Sequence, residues 1–187
     1  MINIAIFASG SGSNAENIVK YFAANPNICI KLIVSNKEDA FVHQRAGKLG
    51  VKSVTFSKSD FENSDLVLNY LKKSGVDFIV LAGFLLKVPQ NLINAYPNKI
   101  VNIHPALLPK FGGRGMYGDN VHKAVIESGD TKSGITIHYV NENYDEGTII
   151  FQAECPVEKG DTYQDVANKV HALEYKFFPE VIESVVL

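Results

Sequence analysis

Short apolar runs of strand length alternate with segments of helical period along this chain, and this alternation limits the fold more than any other feature. The clearest runs are INIAIFA (2–8), CIKLIVS (29–35), DFIVLAGF (77–84) and KIVNIH (99–104). Helix-like segments lie between them, and one is predicted to run from about 59 to 74. Strand–helix–strand units of this kind favour a mostly parallel sheet with right-handed crossovers.

The second half of the chain carries a different pattern. A helix predicted near 120–128 is followed by SGITIHYV (133–140) and GTIIFQAECPV (147–157). Two strands that close across a loop predict an antiparallel hairpin at one side of the sheet. Asp161 is a candidate N-cap for a last helix that extends to about Val186. The predicted fold is therefore α/β: a Rossmann-like open, mostly parallel twisted sheet with a C-terminal antiparallel hairpin and helices on both faces.

Composition predicts one globular domain. The chain has 187 residues, of which 46% are apolar and 20% charged, and it shows no repeat or linker, so a single domain is expected over 1–187 with halves at about 1–100 and 101–187. The net charge of −2 comes from intermixed acids and bases, which argues against a nucleic-acid partner. No apolar run reaches membrane-spanning length. The two cysteines lie far apart, so we expect a soluble, reduced, cytoplasmic protein.

A glycine-rich turn follows the first strand. Gly10, Gly12 and Ala15 fit the pattern G-x-G-x-x-G/A, in which backbone amides and a helix N-terminus approach an anion. The alternative is a tight turn with a serine N-cap. A dinucleotide is less favoured, because Ser35 and Asn36 stand where a ribose-binding acid would be needed. A phosphate monoester fits this turn better.

Asn102 and His104 are polar residues at the end of the predicted strand 99–104. Their spacing of two residues sends both side chains to one face, and ligands of open α/β sheets bind beyond the carboxyl ends of the strands. An amide can donate to a developing oxyanion, and an imidazole can act as acid or base near neutral pH. A satisfied core histidine is the alternative for His104.

The loop before the last strand offers three acids that could orient this imidazole: Glu142, Asp145 and Glu146. The spacing of calcium ligands is absent from this loop, and a solvated acidic loop is the alternative. The pattern alone does not choose among the three acids.

Four motifs together resemble one known family. They are SGSGSN (9–14), VLAGFLL (80–86), VNIHPALLPKFGG (101–113) and YDEGTII (144–150), in the order and spacing of the glycinamide ribonucleotide (GAR) formyltransferases of purine biosynthesis. The resemblance covers almost the whole chain. It implies transfer of a formyl group from 10-formyltetrahydrofolate, a co-substrate, to the amine of GAR (5-phosphoribosylglycinamide). It also implies small-molecule partners only, no metal and no membrane, and leaves the oligomeric state open.

The resemblance also implies roles for individual residues. They are, for catalysis, Asn102, His104 and Asp145; for GAR binding, Gly12, Ser13, Asn14 and Glu174; for folate binding, Leu85, Leu86, Lys87, Val88 and Asn102. Protonated His104 and the Asn102 amide would stabilise the oxyanion, while the Asp145 charge would raise the His104 pKa. The N-terminal half would bind phosphate, and the C-terminal half would hold the folate and the catalytic residues.

Three departures from the family pattern concern the folate. Leu86 stands where some relatives have an arginine, Ser64 stands at an otherwise basic position, and the loop 112–118 is longer than in some relatives. These departures leave open which residue holds the tail of the folate.

Other functions fit fewer features. A formyltetrahydrofolate hydrolase would need an extra N-terminal domain, and a methionyl-tRNA formyltransferase an extra C-terminal one. A Rossmann-type reductase rests only on the glycine turn. A non-catalytic phosphate-binding module would leave Asn102 and His104 without a role.

Overall fold

The computed structural model describes all residues, 1–187. Its strands are β1 (Ile2–Phe7), β2 (Ile28–Ser35), β3 (Ser53–Thr55), β4 (Phe78–Leu81), β5 (Ile100–His104), β6 (Lys132–Tyr139) and β7 (Ile149–Pro156). Its helices are α1 (Ser13–Phe22), α2 (Val42–Leu49), α3 (Lys58–Asn63), α4 (Leu66–Lys73), α5 (Gln90–Ala95), α6 (Asp119–Ser128) and α7 (Tyr163–Val186).

The strands form one seven-stranded sheet in the order β3-β2-β1-β4-β5-β6-β7. The first five strands in this order pair in parallel, and β5–β6 and β6–β7 pair antiparallel. This confirms the predicted fold class, including the hairpin at one side. The strand order reverses between β1 and β4, which is the switch point where open α/β sheets bind ligands.

The central parallel strands of the sheet are buried on both faces, as their nearly continuous apolar sequences require. Along β1, Ile4 and Ile6 belong to a core cluster of 25 buried residues that also includes residues of α1, α2 and α7. The residues between and after them, Ala5 and Phe7, belong to a second cluster of 16 on the opposite face, with residues of α3, α4 and α5. None of the helices combines the length and apolar character that crossing a bilayer requires.

The single helix predicted over 59–74 is wrong, because the structure has two helices there. The backbone of Ser64 is extended between α3 and α4. Its hydroxyl donates to the Asp60 carbonyl at 2.8 Å and accepts from the Leu66 N–H at 3.3 Å. A short polar side chain that satisfies backbone groups locally competes with helix continuation.

The predicted N-cap of the last helix is also wrong by one residue. Thr162 caps α7 in a reciprocal capping box with Asp165. The Asp161 carboxylate instead accepts from the Glu158 N–H at 2.8 Å and pairs with Lys169 at 2.7 Å.

Helix α7 contains a proline that links it to α1. Pro179 has no N–H, so the carbonyl of Tyr175, four residues earlier, loses its helical partner. The Asn17 side chain in α1 donates to this carbonyl at 2.9 Å. The side chain of one helix therefore fills a gap in the hydrogen bonding of the other.

Candidate active site

A cavity of about 540 Å³ lies at the carboxyl ends of β1, β4 and β5. Its walls come from the β1–α1 turn, the segment after β4, the end of β5 and the loop that leads into α6. Further walls are the side chains of His122, Tyr144, Asp145, His171 and Glu174. Most of the residues predicted for the site therefore line one cavity.

The β1–α1 turn presents the open end of a helix to the cavity. Gly12 is the N-cap residue of α1 with φ +72°, and no side chain caps the helix. The first N–H groups of a helix have no partner within it, so they are free for an anion. Behind the turn, Arg45 Nε donates to the Ser11 carbonyl at 2.8 Å and its guanidinium pairs with Glu16.

Gly12 is needed for a second reason besides its positive φ. A Cβ on Gly12 would overlap the side chain of Val42, the first residue of α2. Replacement of Gly12 would therefore disturb α2 as well as the turn, and a useful test of this turn must use another position.

Asn102 is oriented by a chain of hydrogen bonds. His138 Nδ1 lies 2.8 Å from the Tyr139 carbonyl, which can only accept, so this nitrogen carries the proton. His138 Nε2 is then an acceptor, and Asn102 Nδ2 donates to it at 3.0 Å. The second N–H of the Asn102 amide is left for a ligand in the cavity.

His104 is held in one tautomer in the same way. Its Nε2 lies 2.7 Å from the Phe111 carbonyl and must carry a proton. Its Nδ1 faces the Asp145 carboxylate at 3.6 Å, which is beyond hydrogen-bond range. Nδ1 is therefore the nitrogen available to a reacting group.

The His104 pKa differs from the expectation. Burial lowers it, while the Asp145 charge and the Phe111 carbonyl raise it, and the net result lies below the ordinary 6.5. The side chain is 4% exposed, and the loss of hydration outweighs the nearby charge. The Asp145 charge thus raises the His104 pKa, as expected, but burial has the larger, opposite effect and favours the neutral imidazole.

Among the three acids of the loop, Asp145 is the one that lines the cavity. It accepts from the Gly113 N–H at 2.9 Å and lies between His104 and His138, at 3.6 and 3.7 Å. Burial tends to raise the Asp145 pKa, but the two histidines and the Gly113 N–H lower it below the ordinary 3.8. Asp145 is therefore a carboxylate at neutral pH.

Glu174 of α7 also lines the cavity, and only 4% of it is exposed. Its carboxylate accepts from Asn14 Nδ2 at 2.9 Å and pairs with His171 Nδ1 at 2.8 Å. The bond to Glu174 raises the His171 pKa. Asn14 Oδ1 and His122 Nδ1, both in the cavity wall, are buried without a hydrogen-bond partner. Such groups favour a polar ligand in this part of the cavity.

The comparisons with known proteins agree with this site. A family model described as "Formyl transferase" matches residues 2–182. The chain belongs to the formyl transferase family. It is 43% identical to the chloroplastic phosphoribosylglycinamide formyltransferase of Arabidopsis thaliana, over 97% of this chain and 64% of that protein. It is 36% identical to the Bacillus subtilis phosphoribosylglycinamide formyltransferase, over 98% and 94%. The crystal structure of the Streptococcus pneumoniae enzyme of that name has a TM-score of 0.88 and 33% identity, and each chain is covered in full.

The resemblance read from the four motifs is thus confirmed at the level of the family. The chain spans 64% and 60% of the length of the two plant relatives, from Arabidopsis thaliana and Vigna unguiculata.

Only part of the predicted folate segment (85–88) of this formyl transferase lines the cavity. Leu85 lines the cavity and is 40% exposed. Leu86 packs against the second core cluster, and Val88 is buried within it. Lys87 is exposed but does not line the cavity. The structure therefore brings one of these four side chains to the cavity.

Sequence reasoning missed several residues of the cavity wall. They are Arg114, Met116, Tyr117, Asp119, His122 and His171. His122 and His171 belong to α6 and α7; His122 lies among the buried apolar residues of α6, which is the only sequence signal for it, and His171 has none. Burial lowers the His122 pKa.

Thr136 lies beneath the loop that carries Phe111, outside the cavity. Its hydroxyl donates to the Ala106 carbonyl at 2.7 Å and accepts from the Leu108 N–H at 2.9 Å and Gln152 Nε2 at 2.8 Å. It therefore fixes the backbone of the segment that leads from His104 to the Phe111 carbonyl.

Replacing Thr136 by valine should destabilise the fold by about 1–3 kcal/mol, because two buried backbone groups, the Ala106 carbonyl and the Leu108 N–H, lose this partner while the shape is retained. Thermal unfolding should show a fall in Tm of about 3–10 °C. Thr148→Val is the matched control, since this threonine is exposed and its hydroxyl has no hydrogen bond. Equal Tm values for the two variants would contradict this role of Thr136.

Proposed function

We propose that this protein transfers the formyl group of 10-formyltetrahydrofolate to the amine of GAR, giving formyl-GAR and tetrahydrofolate, in de novo purine biosynthesis. The observation that carries the proposal is that one cavity contains both the open N-terminus of α1 and the group of Asn102, His104 and Asp145. The first suits a phosphate, and the second suits acyl transfer. The names and near-complete coverage of the bacterial relatives support it.

We assign the phosphate of GAR to the β1–α1 turn, where Gly12, Ser13 and Asn14 contribute. Helical N–H groups and the helix dipole compensate its charge there. Glu174 accepts from the amine end of GAR or from its ribose, because it is a buried carboxylate beside Asn14. Of the predicted folate residues, Leu85 and Asn102 contact the donor, since both line the cavity.

The reaction begins with attack of the GAR amine on the formyl carbon. A C–N bond forms, and the formyl oxygen becomes an oxyanion, to which the free Asn102 N–H donates. Neutral His104 accepts the proton of the attacking amine at Nδ1 and becomes an imidazolium between the Asp145 carboxylate and the Phe111 carbonyl.

Collapse of the intermediate completes the transfer. The carbonyl reforms, the bond between the formyl carbon and the folate nitrogen breaks, and His104 returns its proton to that nitrogen. The proton balance closes within the site, and no metal takes part in these steps.

The first test is a coupled assay with GAR and 10-formyltetrahydrofolate. Formation of formyl-GAR and tetrahydrofolate in equal amounts is the expected result. Hydrolysis of the donor to formate without GAR would instead indicate a hydrolase.

Ser13→Asp tests the phosphate assignment without the packing problem of Gly12. A carboxylate in the first turn of α1 suits the helix dipole but repels a bound phosphate. The KM for GAR should rise about tenfold or more, with Tm unchanged or higher and the KM for the donor nearly constant. Ser59→Asp makes the same change in the first turn of α3, outside the cavity, and should behave as wild type. An unchanged KM for GAR in Ser13→Asp would remove the phosphate from this turn.

A further inference from the structure

The loop 112–118 forms one side of the cavity mouth and has no role in the steps above. Three of its glycines have positive φ: Gly113, Gly115 and Gly118. Two hydrogen bonds fix its first half: the Gly113 N–H donates to Asp145 at 2.9 Å, and Asn120 Nδ2 of α6 donates to the Gly115 carbonyl at 3.3 Å. The loop is thus anchored beside the reacting group and at the start of α6.

Arg114, in this loop, is the only lysine or arginine that lines the cavity. The other arginine of the chain, Arg45, is held by Glu16 and the Ser11 carbonyl. Arg114 is exposed, and its guanidinium forms no ion pair or hydrogen bond within the protein. A planar guanidinium with free donors is suited to two-point binding of a carboxylate.

The two proposed substrates bring two separate negative groups to this cavity. The phosphate of GAR is matched by the α1 N-terminus. The glutamyl carboxylates of the folate donor need a cation as their partner. The acids of the cavity wall cannot serve; they are Asp119, Asp145 and Glu174. These acids repel carboxylates, so Arg114 is the charged side chain of the cavity wall that is suited to bind the donor tail.

The residues beside Arg114 suit the part of the donor that precedes those carboxylates. Met116 and Tyr117 also line the cavity, and 51% of the Tyr117 surface is exposed. An exposed aromatic ring next to a cation matches an aminobenzoyl ring next to a carboxylate.

We propose that Arg114 binds the glutamyl carboxylate of the folate donor and that the loop 112–118 forms the subsite for the donor tail. This inference rests on the proposed function. Arg114 supplies the positive charge for the donor tail in a chain that has the uncharged residues Leu86 and Ser64 at two positions where basic residues are expected.

The test compares binding of tetrahydrofolate with that of tetrahydropteroate, which lacks the glutamyl group, by calorimetry. Wild type should bind tetrahydrofolate about tenfold more tightly, as expected for one charge-assisted pair at a partly exposed site. In Arg114→Gln this preference should fall to about one, with tetrahydropteroate affinity and the KM for GAR unchanged. Arg114→Lys should retain part of the preference. Lys123→Gln, which removes an exposed charge on α6 outside the cavity, should retain all of it.

Several results would overturn the inference. They are a wild-type preference near one, a preference that survives in Arg114→Gln, and a preference that Lys87→Gln abolishes instead. A raised KM for GAR in Arg114→Gln would assign the guanidinium to the phosphate. Formyl transfer by wild type together with any of these results leaves the proposed function intact. Absence of formyl transfer by wild type would overturn both.

Discussion

Asn102→Ala should lower kcat for formyl transfer by about 10²- to 10³-fold while the KM of each substrate changes little. The Asn102 amide donates to an oxygen that gains its charge only as the tetrahedral intermediate forms, so its loss affects the chemical step more than binding. Steady-state kinetics with each substrate varied in turn measures this separation. His104→Ala should have an effect of similar size, because it removes the proton acceptor.

The double variant makes this prediction sharper. Both residues act on one intermediate, so Asn102→Ala combined with His104→Ala should lose much less than the product of the two single effects. Asn94→Ala removes an exposed amide from α5 and is the matched control for folding and expression. A near-normal kcat in either single variant would contradict the role given to that residue.

Asp145→Asn should lower kcat by roughly 10²-fold and shift the pH–rate profile. In the proposed mechanism His104 must be neutral to accept a proton, so the rate of wild type falls as pH decreases through the His104 pKa. The Asp145 charge raises that pKa against the larger effect of burial. Without the charge the His104 pKa drops further, and the acidic limb of the kcat profile should move to lower pH.

The direction of this shift separates two mechanisms. If His104 had to be protonated before the reaction, Asp145→Asn would move an alkaline limb to lower pH, and acidification would restore part of the rate. Measurement of kcat from about pH 5 to 9 under saturating substrates decides between them. The amide can still accept from the Gly113 N–H, so the loop should remain in place. Full activity in this variant would remove Asp145 from the site, and a loss of rate without any shift would make it a positioning residue.

The fold was predictable because its central strands are apolar on both faces and its helices have one apolar face. Such patterns extend over many residues and survive local exceptions. The break at Ser64 and the cap at Thr162 were not predictable, because each depends on which of several neighbouring polar side chains bonds to the backbone. Asp161 and Thr162 are both good capping residues, and the choice between them follows from the contact of Asp161 with Lys169.

The grouping of site residues was predictable for those on a strand and less so for those on loops. Asn102 and His104 lie two residues apart on β5, and this spacing fixes a common face. The choice of Asp145 over Glu142 and Glu146 depends on how the loop folds over the cavity. The direction of the His104 pKa was missed because a sequence gives the neighbouring charge but not the degree of burial.

Pro179 in α7 affects how α7 lies against α1, and both helices carry residues assigned to substrate binding. α1 carries the turn assigned to phosphate, and α7 carries Glu174 directly before, and His171 one turn before, the Tyr175 carbonyl that Pro179 leaves free. Because Asn17 donates to that carbonyl, it adds to the hydrogen bonds that Asn14 and Tyr21 of α1 make with Glu174 and Glu183 of α7. A residue with a backbone N–H at position 179 would donate to the Tyr175 carbonyl. This bond would stabilise α7 but would compete with the Asn17 side chain for that carbonyl. At position 179, a residue that stabilises α7 would therefore weaken the contact that holds α1 and its binding residues against α7, and proline retains that contact.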